Sequence, residues 1–417
     1  MTLGSQSNLA DTNMNPMQAE CRKFGSRLLR RSKTRLIRPV RVRHKLLRRK
    51  TRPDVRGLYP PRVLNADLDA KEVTPFKEIK KVGSSGDTKT EEQQMRNLLW
   101  PLIGALFVVF SHHAWAHNHD SENAQAPLLD LDELTAAFGW DFASAEIQSQ
   151  KVAEGLYVLF GVGGNIGVSI GEDGVLIVDN QFPQVMEKIE AAIADIGGKS
   201  VDYAVNTHWH FDHAEGNNAL GPKGATLVSQ RNARNDMARG GIVNLVVSRY
   251  DQQPYPKQAL PVLTFDDRMQ IHFNDNEIEM AHFSPAHTNG DTAVFFRKQN
   301  AVHLGDVFNN TGYPFIDVDS GGDIDGMITF CESTLAEMGP DAIIIPGHGP
   351  VTDAAALSRY IYMLKTMRSR IASMIAEGKT LQEVIDAKPT ADFDEVYGPE
   401  TASLGFVNRV YASLSAR

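Results

Sequence analysis

One short stretch of the chain, NTHWHFDHAEGN at residues 206–217, holds three histidines and an aspartate within six positions. The imidazoles of His208 and His210 are two residues apart, a spacing that puts both on one side of an extended strand. Asp212 and His213 follow at once, so a tight turn there aims a second pair of donors at the same space. Imidazole and carboxylate groups are ligands that suit zinc. The stretch therefore predicts a metal centre, whereas an isolated histidine would predict only a core or surface residue.

Three further candidate ligands occur at wide spacing, each at the end of a strand-like run. Each one enters a loop rich in Gly, Pro or Asn, and such loops bring side chains from separate strands to a shared rim. The three are His287 in FSPAHTNGD, Asp306 in AVHLGD and His348 in IIIPGHGP.

The elements that must position these residues alternate between strand and helix patterns. Strand-like runs at 155–161 and 165–179, the second divided by an Asp-Gly hairpin signal, precede helical spacing at 182–197 and a strand at 201–208. The order then repeats, with strand-like runs at 270–273, 277–283, 292–297, 301–305 and 341–349, a helix at 324–338, and helices from about 353 to 377 and near the C-terminus. This order predicts an α+β fold in which two mixed sheets pack face to face with helices outside.

The complete set of motifs resembles the metallo-β-lactamase fold superfamily over about residues 155–350, and most closely exported bacterial metallo-hydrolases of this fold. The resemblance implies an αββα sandwich with a dinuclear zinc site at one edge. It implies a catalytic domain at 151–352, with C-terminal helices at 353–417 packed on the same domain. Carried over by position, it implies one zinc held by His208, His210 and His287, another held by Asp212, His213 and His348, and a bridge between them from Asp306.

The implied chemistry is hydrolysis by water. Zinc lowers the pKa of bound water to about 7, which provides a nucleophile at neutral pH. Asp212 is the candidate catalytic residue, because its carboxylate could orient that water or accept its proton. We therefore expect attack on the carbonyl of a small ester, thioester, lactone or lactam, without a covalent intermediate on a serine or cysteine.

The choice among hydrolases depends on the residues after the bridging position. The best-known β-lactamases of this fold have a Cys at the position of Asp306 and a Lys three residues on, where this chain has Asn309. That lysine usually holds the substrate carboxylate, so its absence puts β-lactam hydrolysis in doubt, and an Asp bridge is similar to the glyoxalase II and lactonase branches. A class B-like β-lactamase remains the main alternative, and a persulfide dioxygenase with one iron is a further one.

Four side chains close to the ligands are candidates for substrate contact. Trp209 lies between two ligands, and we expect it in the core or the pocket wall, with substrate contact as the alternative. Asn309, Asn310 and Tyr313 belong to the loop 309–323 that directly follows the bridging aspartate, so their side chains could face the site.

The N-terminal quarter differs in charge from the rest. Residues 1–116 hold 23 of the 43 basic and 10 of the 51 acidic residues, and Arg22 to Arg52 includes 15 Lys/Arg with no acidic residue. The remainder, 117–417, has a net charge of -21, which repels phosphate backbones and disfavours a nucleic-acid partner. A small-molecule substrate is the expected partner, and the oligomeric state stays open.

A secretory signal peptide is predicted at residues 95–116. Arg96 supplies the charged start, 98–110 is an apolar run, and Ala114-Trp115-Ala116 is a small-x-small cleavage site. The run is shorter than the roughly 20 residues of a membrane span, so we expect no stable membrane insertion after cleavage. The alternative is an internal anchor helix with an Arg-rich cytoplasmic arm.

Because a signal peptide should begin a protein, we expect translation to start at Met95. Residues 1–94 are then an extension outside the real gene product, the alternative being a disordered basic tail. Residues 117–150 are expected to be a polar lead-in to the catalytic domain. The protein is expected to be periplasmic or secreted.

Overall fold

A computed structural model of the chain describes residues 126–398 and 400–416. The predicted signal peptide and the extension before it lie outside the described residues, as do residues 117–125. None of the helices within the two described ranges combines the length and the apolar character that crossing a membrane requires.

The described strands form three sheets. In chain order the strands are β1 (Leu128–Leu129), β2 (Gln148–Ala153), β3 (Leu156–Phe160), β4 (Ile166–Gly171), β5 (Gly174–Val178), β6 (Tyr203–Asn206), β7 (Thr226–Gln230), β8 (Gly241–Asn244), β9 (Arg249–Gln252), β10 (Leu263–Phe265), β11 (Arg268–Phe273), β12 (Asn276–Ala281), β13 (Ala293–Phe296), β14 (Ala301–His303), β15 (Ile343–Ile345) and β16 (Thr352–Asp353).

Helices occur between the strands and after the last of them. They are α1 (Leu131–Phe138), α2 (Met186–Asp195), α3 (Phe211–Ala214), α4 (Asn217–Lys223), α5 (Arg231–Arg239), α6 (Ile324–Ala336), α7 (Ala354–Ala376), α8 (Leu381–Asp386), α9 (Asp394–Tyr397) and α10 (Glu400–Ser415). The described part of the predicted polar lead-in includes β1 and α1, and α1 begins with a capping box between Asp130 and Glu133.

Two large mixed sheets pack face to face. The first has the order β10-β7-β6-β5-β4-β3-β2 and the second β11-β12-β13-β14-β15-β16, while β1-β9-β8 form a small third sheet. The apolar run of β5 shows the layering, because side chains alternate across a strand. Leu176 and Val178 pack in the core between the two large sheets, and Val175 and Ile177 pack in the core beneath α2.

The second sheet is covered on its outer face in the same way. Its outer core contains Phe295 and Val302 together with Met327 of α6, Leu357 of α7 and Val410 of α10. Helices therefore cover both outer faces of the paired sheets, and the predicted α+β sandwich with outer helices is confirmed.

The strand directions bring the candidate ligands to one edge. Strands β5, β6 and β7 are parallel in the first sheet. In the second sheet β14 and β15 are parallel, and β12 runs the same way because two antiparallel pairings separate it from β14. The carboxyl ends of β6, β12, β14 and β15 lead into the loops that carry the histidines and aspartates, so each sheet contributes part of the site.

Several element boundaries differ from the sequence-based expectation. The Asp-Gly hairpin is present, with Gly171 paired to Gly174 between β4 and β5. The strand expected at 201–208 ends at Asn206, because the chain must turn there to present His208. Strands β8 and β9 form a further hairpin, and β1 pairs in parallel with β9.

Candidate metal centre

The structure brings the seven predicted ligands together. The shortest links are 2.9 Å from His210 Nδ1 to His287 Nε2, 3.1 Å from His213 Nε2 to Asp306 Oδ1, and 3.2 Å from His348 Nε2 to Asp212 Oδ2. Three overlapping groups each offer donor atoms within 4.8 Å of one another: His208, His210 and His287; His208, His213 and Asp306; and Asp212, His213 and His348. The first and third groups coincide with the two ligand sets that the resemblance implied.

Four of the five histidines use one ring nitrogen to hold a neighbouring group. His210 Nε2 lies 2.9 Å from Asp317 Oδ2, and His213 Nδ1 lies 2.8 Å from Asp179 Oδ2. His287 Nδ1 donates to the carbonyl oxygen of Phe315 at 2.8 Å, and His208 Nδ1 lies 3.0 Å from Thr207 Oγ1. Such partners fix the ring orientation and the tautomer of a metal-binding histidine.

The remaining ring nitrogens fit a cation. The Phe315 carbonyl can only accept, so the proton of His287 is on Nδ1 and its Nε2 carries a lone pair. The same argument puts the proton of His210 on Nε2 beside Asp317, and a lone pair on Nδ1. These two lone pairs face each other at 2.9 Å, and the buried Nε2 of His208 has no hydrogen-bond partner among the described residues. A positive ion between these nitrogens would relieve the repulsion between the two lone pairs and give His208 Nε2 a partner.

Asp179 supports the site although sequence reasoning did not single it out. Its fully buried carboxylate accepts from the backbone N–H of Thr207 at 2.7 Å, from Thr207 Oγ1 at 2.8 Å and from His213 Nδ1 at 2.8 Å. Asp179 has a φ of 63°, in the left-handed region. The signal was present, because Asp179 directly follows β5 as the predicted ligand Asp306 follows the region of β14.

The loop after Asp306 supplies the other support that the sequence did not reveal. Asp317 is fully buried, and its backbone N–H donates to the carbonyl oxygen of His287 at 2.8 Å, in addition to its side-chain contact with His210. The ring of Phe315 lies 5.7 Å from that of His287 and 6.1 Å from that of His210. The sequence placed their loop directly after Asp306, but no strand pattern indicated which of its side chains face the site.

Glycines allow the backbone to approach the ligands closely. A Cβ atom on Gly164 would overlap the ring of His213, and one on Gly347 would overlap the carboxylate of Asp306. A side chain at either position would displace a candidate ligand, so only glycine fits at these two positions.

Comparison with known proteins agrees with this geometry. Residues 160–348 match the family described as the metallo-beta-lactamase superfamily. This region of the chain therefore resembles a metallo-beta-lactamase superfamily domain. A probable metallo-hydrolase of Methanocaldococcus jannaschii is 24% identical over 206 residues, which is 48% of this chain and 94% of that protein. These two matches support hydrolase activity.

Solved structures of the superfamily are similar to this chain over about half its length. The crystal structure of DIM-1 metallo-beta-lactamase has a TM-score of 0.44 and 20% identity, covering 53% of this chain and 98% of that one. A metallo-beta-lactamase from Pontibacter korlensis has a TM-score of 0.44 and 16% identity, covering 53% of this chain and 99% of that one.

The four candidate substrate-contact residues have different positions around the candidate metal centre. Trp209 is buried in the core beneath the first sheet. The hydroxyl of Tyr313 donates to Asp394 Oδ1 at 2.7 Å, so this side chain packs on the C-terminal helices. Asn309 pairs with His348 through its backbone, but its Oδ1 accepts from Thr311 at 2.6 Å and 2.8 Å. Asn310 Nδ2 donates to the carbonyl oxygen of Pro350 at 2.9 Å.

The two implied ligand sets differ in electrostatics. Burial lowers the pKa of His208 well below its usual value and that of His287 to about 4, and neighbouring histidines add to both shifts. Burial also lowers the pKa of His213 and His348, but the negative charges of Asp306 and Asp212 raise it by more. The pKa of His213 therefore lies well above its usual value, and that of His348 rises to about 9. Without a metal, His213 and His348 therefore carry protons at neutral pH.

These differences predict an unequal response of metal binding to pH. An ion at Asp212, His213 and His348 must displace protons below about pH 9, and each displaced proton weakens binding about tenfold per pH unit of acidification. His208 and His287 are uncharged at neutral pH, so an ion at His208, His210 and His287 would compete with fewer protons. We expect acidification from about pH 8 to about pH 6 to release one ion well before the other, as chelator competition at several pH values would measure. Simultaneous release of both ions would contradict this expectation.

Proposed function

We propose that the protein is a dinuclear zinc hydrolase in which water attacks the carbonyl carbon of a small ester, thioester or lactone and the acyl C–O or C–S bond breaks. The observation that supports it most is the convergence of two donor sets whose histidines are oriented by neighbouring groups. One zinc would be held by His208, His210 and His287, the other by Asp212, His213 and His348, with Asp306 between them. Zinc in such a site supplies an activated water at neutral pH.

Asp212 is the residue we propose for positioning and deprotonating the attacking water. Burial would raise the pKa of this carboxyl, but the neighbouring His213 and His348 lower it, so it is ionised at neutral pH. Its side chain is 11% exposed, and its Oδ2 lies 3.7 Å from His213 Nε2. An ionised carboxylate at the open edge of the site can accept a proton there.

A covalent route through a thiol is not supported by the described residues. Cys331 lies on the buried face of α6, and its Sγ contacts the carbonyl oxygen of Val307 at 3.7 Å. Burial raises the pKa of this thiol, which disfavours the reactive thiolate. Attack by water is therefore the simpler route.

The loops that carry the ligands favour a substrate without a carboxylate next to the reacting bond. No Lys or Arg occurs in the segments 161–165, 207–217, 284–292, 305–323 and 346–350. The β-lactam antibiotics carry such a carboxylate, and it would meet Asp212, Asp306 and no basic side chain from these loops. We therefore expect esters, thioesters and lactones to be better substrates than lactams.

We also propose that the enzyme acts in the periplasm or outside the cell. This rests on the sequence of residues 95–116 alone. N-terminal sequencing of the exported protein should begin at His117, and a native chain that retains residues before Met95 would contradict the proposal.

The function is tested by turnover of the zinc-loaded full chain with a lactone, a thioester and a chromogenic cephalosporin side by side. We expect the lactone or the thioester to be hydrolysed fastest, and a His210→Ala variant to lose that activity. Hydrolysis of the cephalosporin alone would identify a class B-like β-lactamase and overturn the substrate order. No turnover of any of the three with both ions bound would overturn the hydrolase proposal itself.

A further inference from the structure

The C-terminal helix α10 lies beyond the region that matches the superfamily, yet it contacts the loop that orients two of the candidate metal ligands. Arg409 of this helix is 4% exposed. Its Nη1 donates to Asp319 Oδ2 at 3.0 Å, and its Nη2 donates to the carbonyl oxygen of Asn244 in β8. Asn244 Nδ2 completes the set by donating to Asp319 Oδ2 at 3.0 Å.

The same guanidinium group lies against Phe315. Its Cζ is 5.6 Å from the centre of that ring, the arrangement of a cation–π contact. The other side of this residue faces the metal centre, because its carbonyl oxygen accepts from His287 Nδ1 and its ring lies 6.1 Å from that of His210. Arg409 is thus separated from both histidines by one residue.

A second side chain of α10 holds the end of the same loop. Ser413 lies four residues after Arg409 and therefore on the same face of the helix. Its hydroxyl accepts from the backbone N–H of Ile324 at 3.1 Å and donates to Asp323 Oδ2 at 3.2 Å. The backbone N–H of Asp323 in turn donates to the carbonyl oxygen of Ala286, next to His287.

We infer that Arg409 is a positioning residue for the first ligand set, acting through Phe315 and the 315–319 loop to hold His210 and His287. This loop also contains Asp317, whose carboxylate lies 2.9 Å from His210 Nε2. The inference rests on the metal centre of the proposed function. It adds that an element outside the superfamily match sets the affinity of one ion and not of the other. In the second set, His213 is held by Asp179, and His348 pairs through its backbone with Asn309.

The test compares Arg409→Gln, which removes the charge, with Arg409→Lys, which keeps it. The matched control is Arg368→Gln on α7, because Arg368 likewise pairs with an aspartate, Asp325, at 2.8 Å, but outside the loop. Competition with a chelator would measure the affinity of each zinc ion. We expect Arg409→Gln to weaken one ion about tenfold, Arg409→Lys to restore part of the loss, and the control to leave both affinities unchanged.

A second readout requires neither metal nor activity. Nitrogen NMR of the metal-free chain reports which ring nitrogen of each histidine carries the proton. We expect His210 to be protonated at Nε2 and His287 at Nδ1, with both preferences reduced in Arg409→Gln and unchanged in Arg368→Gln. Equal weakening of both ions together with unchanged tautomers would overturn the inference. A tautomer change in a chain that hydrolyses none of the three test substrates would uphold the inference and overturn only the proposed function.

Discussion

Replacement of Asp212 by Asn should reduce kcat/KM at least about a thousandfold, equivalent to about 4 kcal/mol of transition-state stabilisation. The substitution keeps the size of the side chain but removes the charge that attracts an ion beside His213 and His348. It also removes the group proposed to accept the proton of the attacking water, a role worth roughly a hundredfold or more alone. Steady-state hydrolysis of the best substrate, with zinc in excess, measures the loss.

The control is Asp132→Asn, in the exposed first turn of α1, which should leave kcat/KM unchanged. Zinc content of the Asp212→Asn variant separates the two roles. If the variant keeps its full zinc content but loses activity, Asp212 acts mainly by accepting the proton of the attacking water. If it loses one ion, Asp212 acts mainly in metal binding. Activity within about tenfold of the wild type would contradict both roles.

Replacement of Asp179 by Asn should have the second-largest effect. Asparagine tolerates the left-handed backbone at this position, so the change tests the carboxylate and not the fold. Its amide group offers one acceptor oxygen where the carboxylate accepts from Thr207 and from His213 Nδ1, so one buried donor loses its partner. We expect the affinity of the ion at His213 to fall about tenfold to a hundredfold, and the free energy of unfolding to fall by about 1–3 kcal/mol.

Asp275→Asn is the matched control for this prediction. Asp275 also has a left-handed backbone, with a φ of 53°, but its side chain is 94% exposed and forms a surface ion pair with Lys298. Zinc titration and chemical denaturation of the two variants should differ clearly. If Asp179→Asn bound both ions as tightly as the control, Asp179 would have no part in orienting His213.

The convergence of the seven candidate ligands could be predicted from the sequence because the segments that carry them follow strands. Strand patterns are local, and the carboxyl ends of strands that run in the same direction meet at one edge of a sheet. Trp209 is buried in the core, one of the two locations that the sequence predicted for it. The sandwich itself followed from the repeated order of strands and helices.

The supporting contacts could not be predicted, because they depend on the path of loops. Asp317 and Phe315 reach the histidines only because the loop after Asp306 folds back against His287. Proximity in sequence misleads in the same loop, where Tyr313 turns away to hydrogen-bond with Asp394. The contribution of α10 required contacts across 90 residues of sequence, from Asp319 to Arg409.

The central claim is that seven side chains hold two catalytic zinc ions, and metal analysis of the purified full chain tests it most directly. Elemental analysis after dialysis against zinc should give two zinc ions per chain. Removal of both with a chelator should abolish ester, thioester or lactone hydrolysis, and zinc should restore it. A chain that retains its activity without metal would contradict the account. So would a His210→Ala variant with the same zinc content as the wild type, because zinc would then not be bound at His208, His210 and His287.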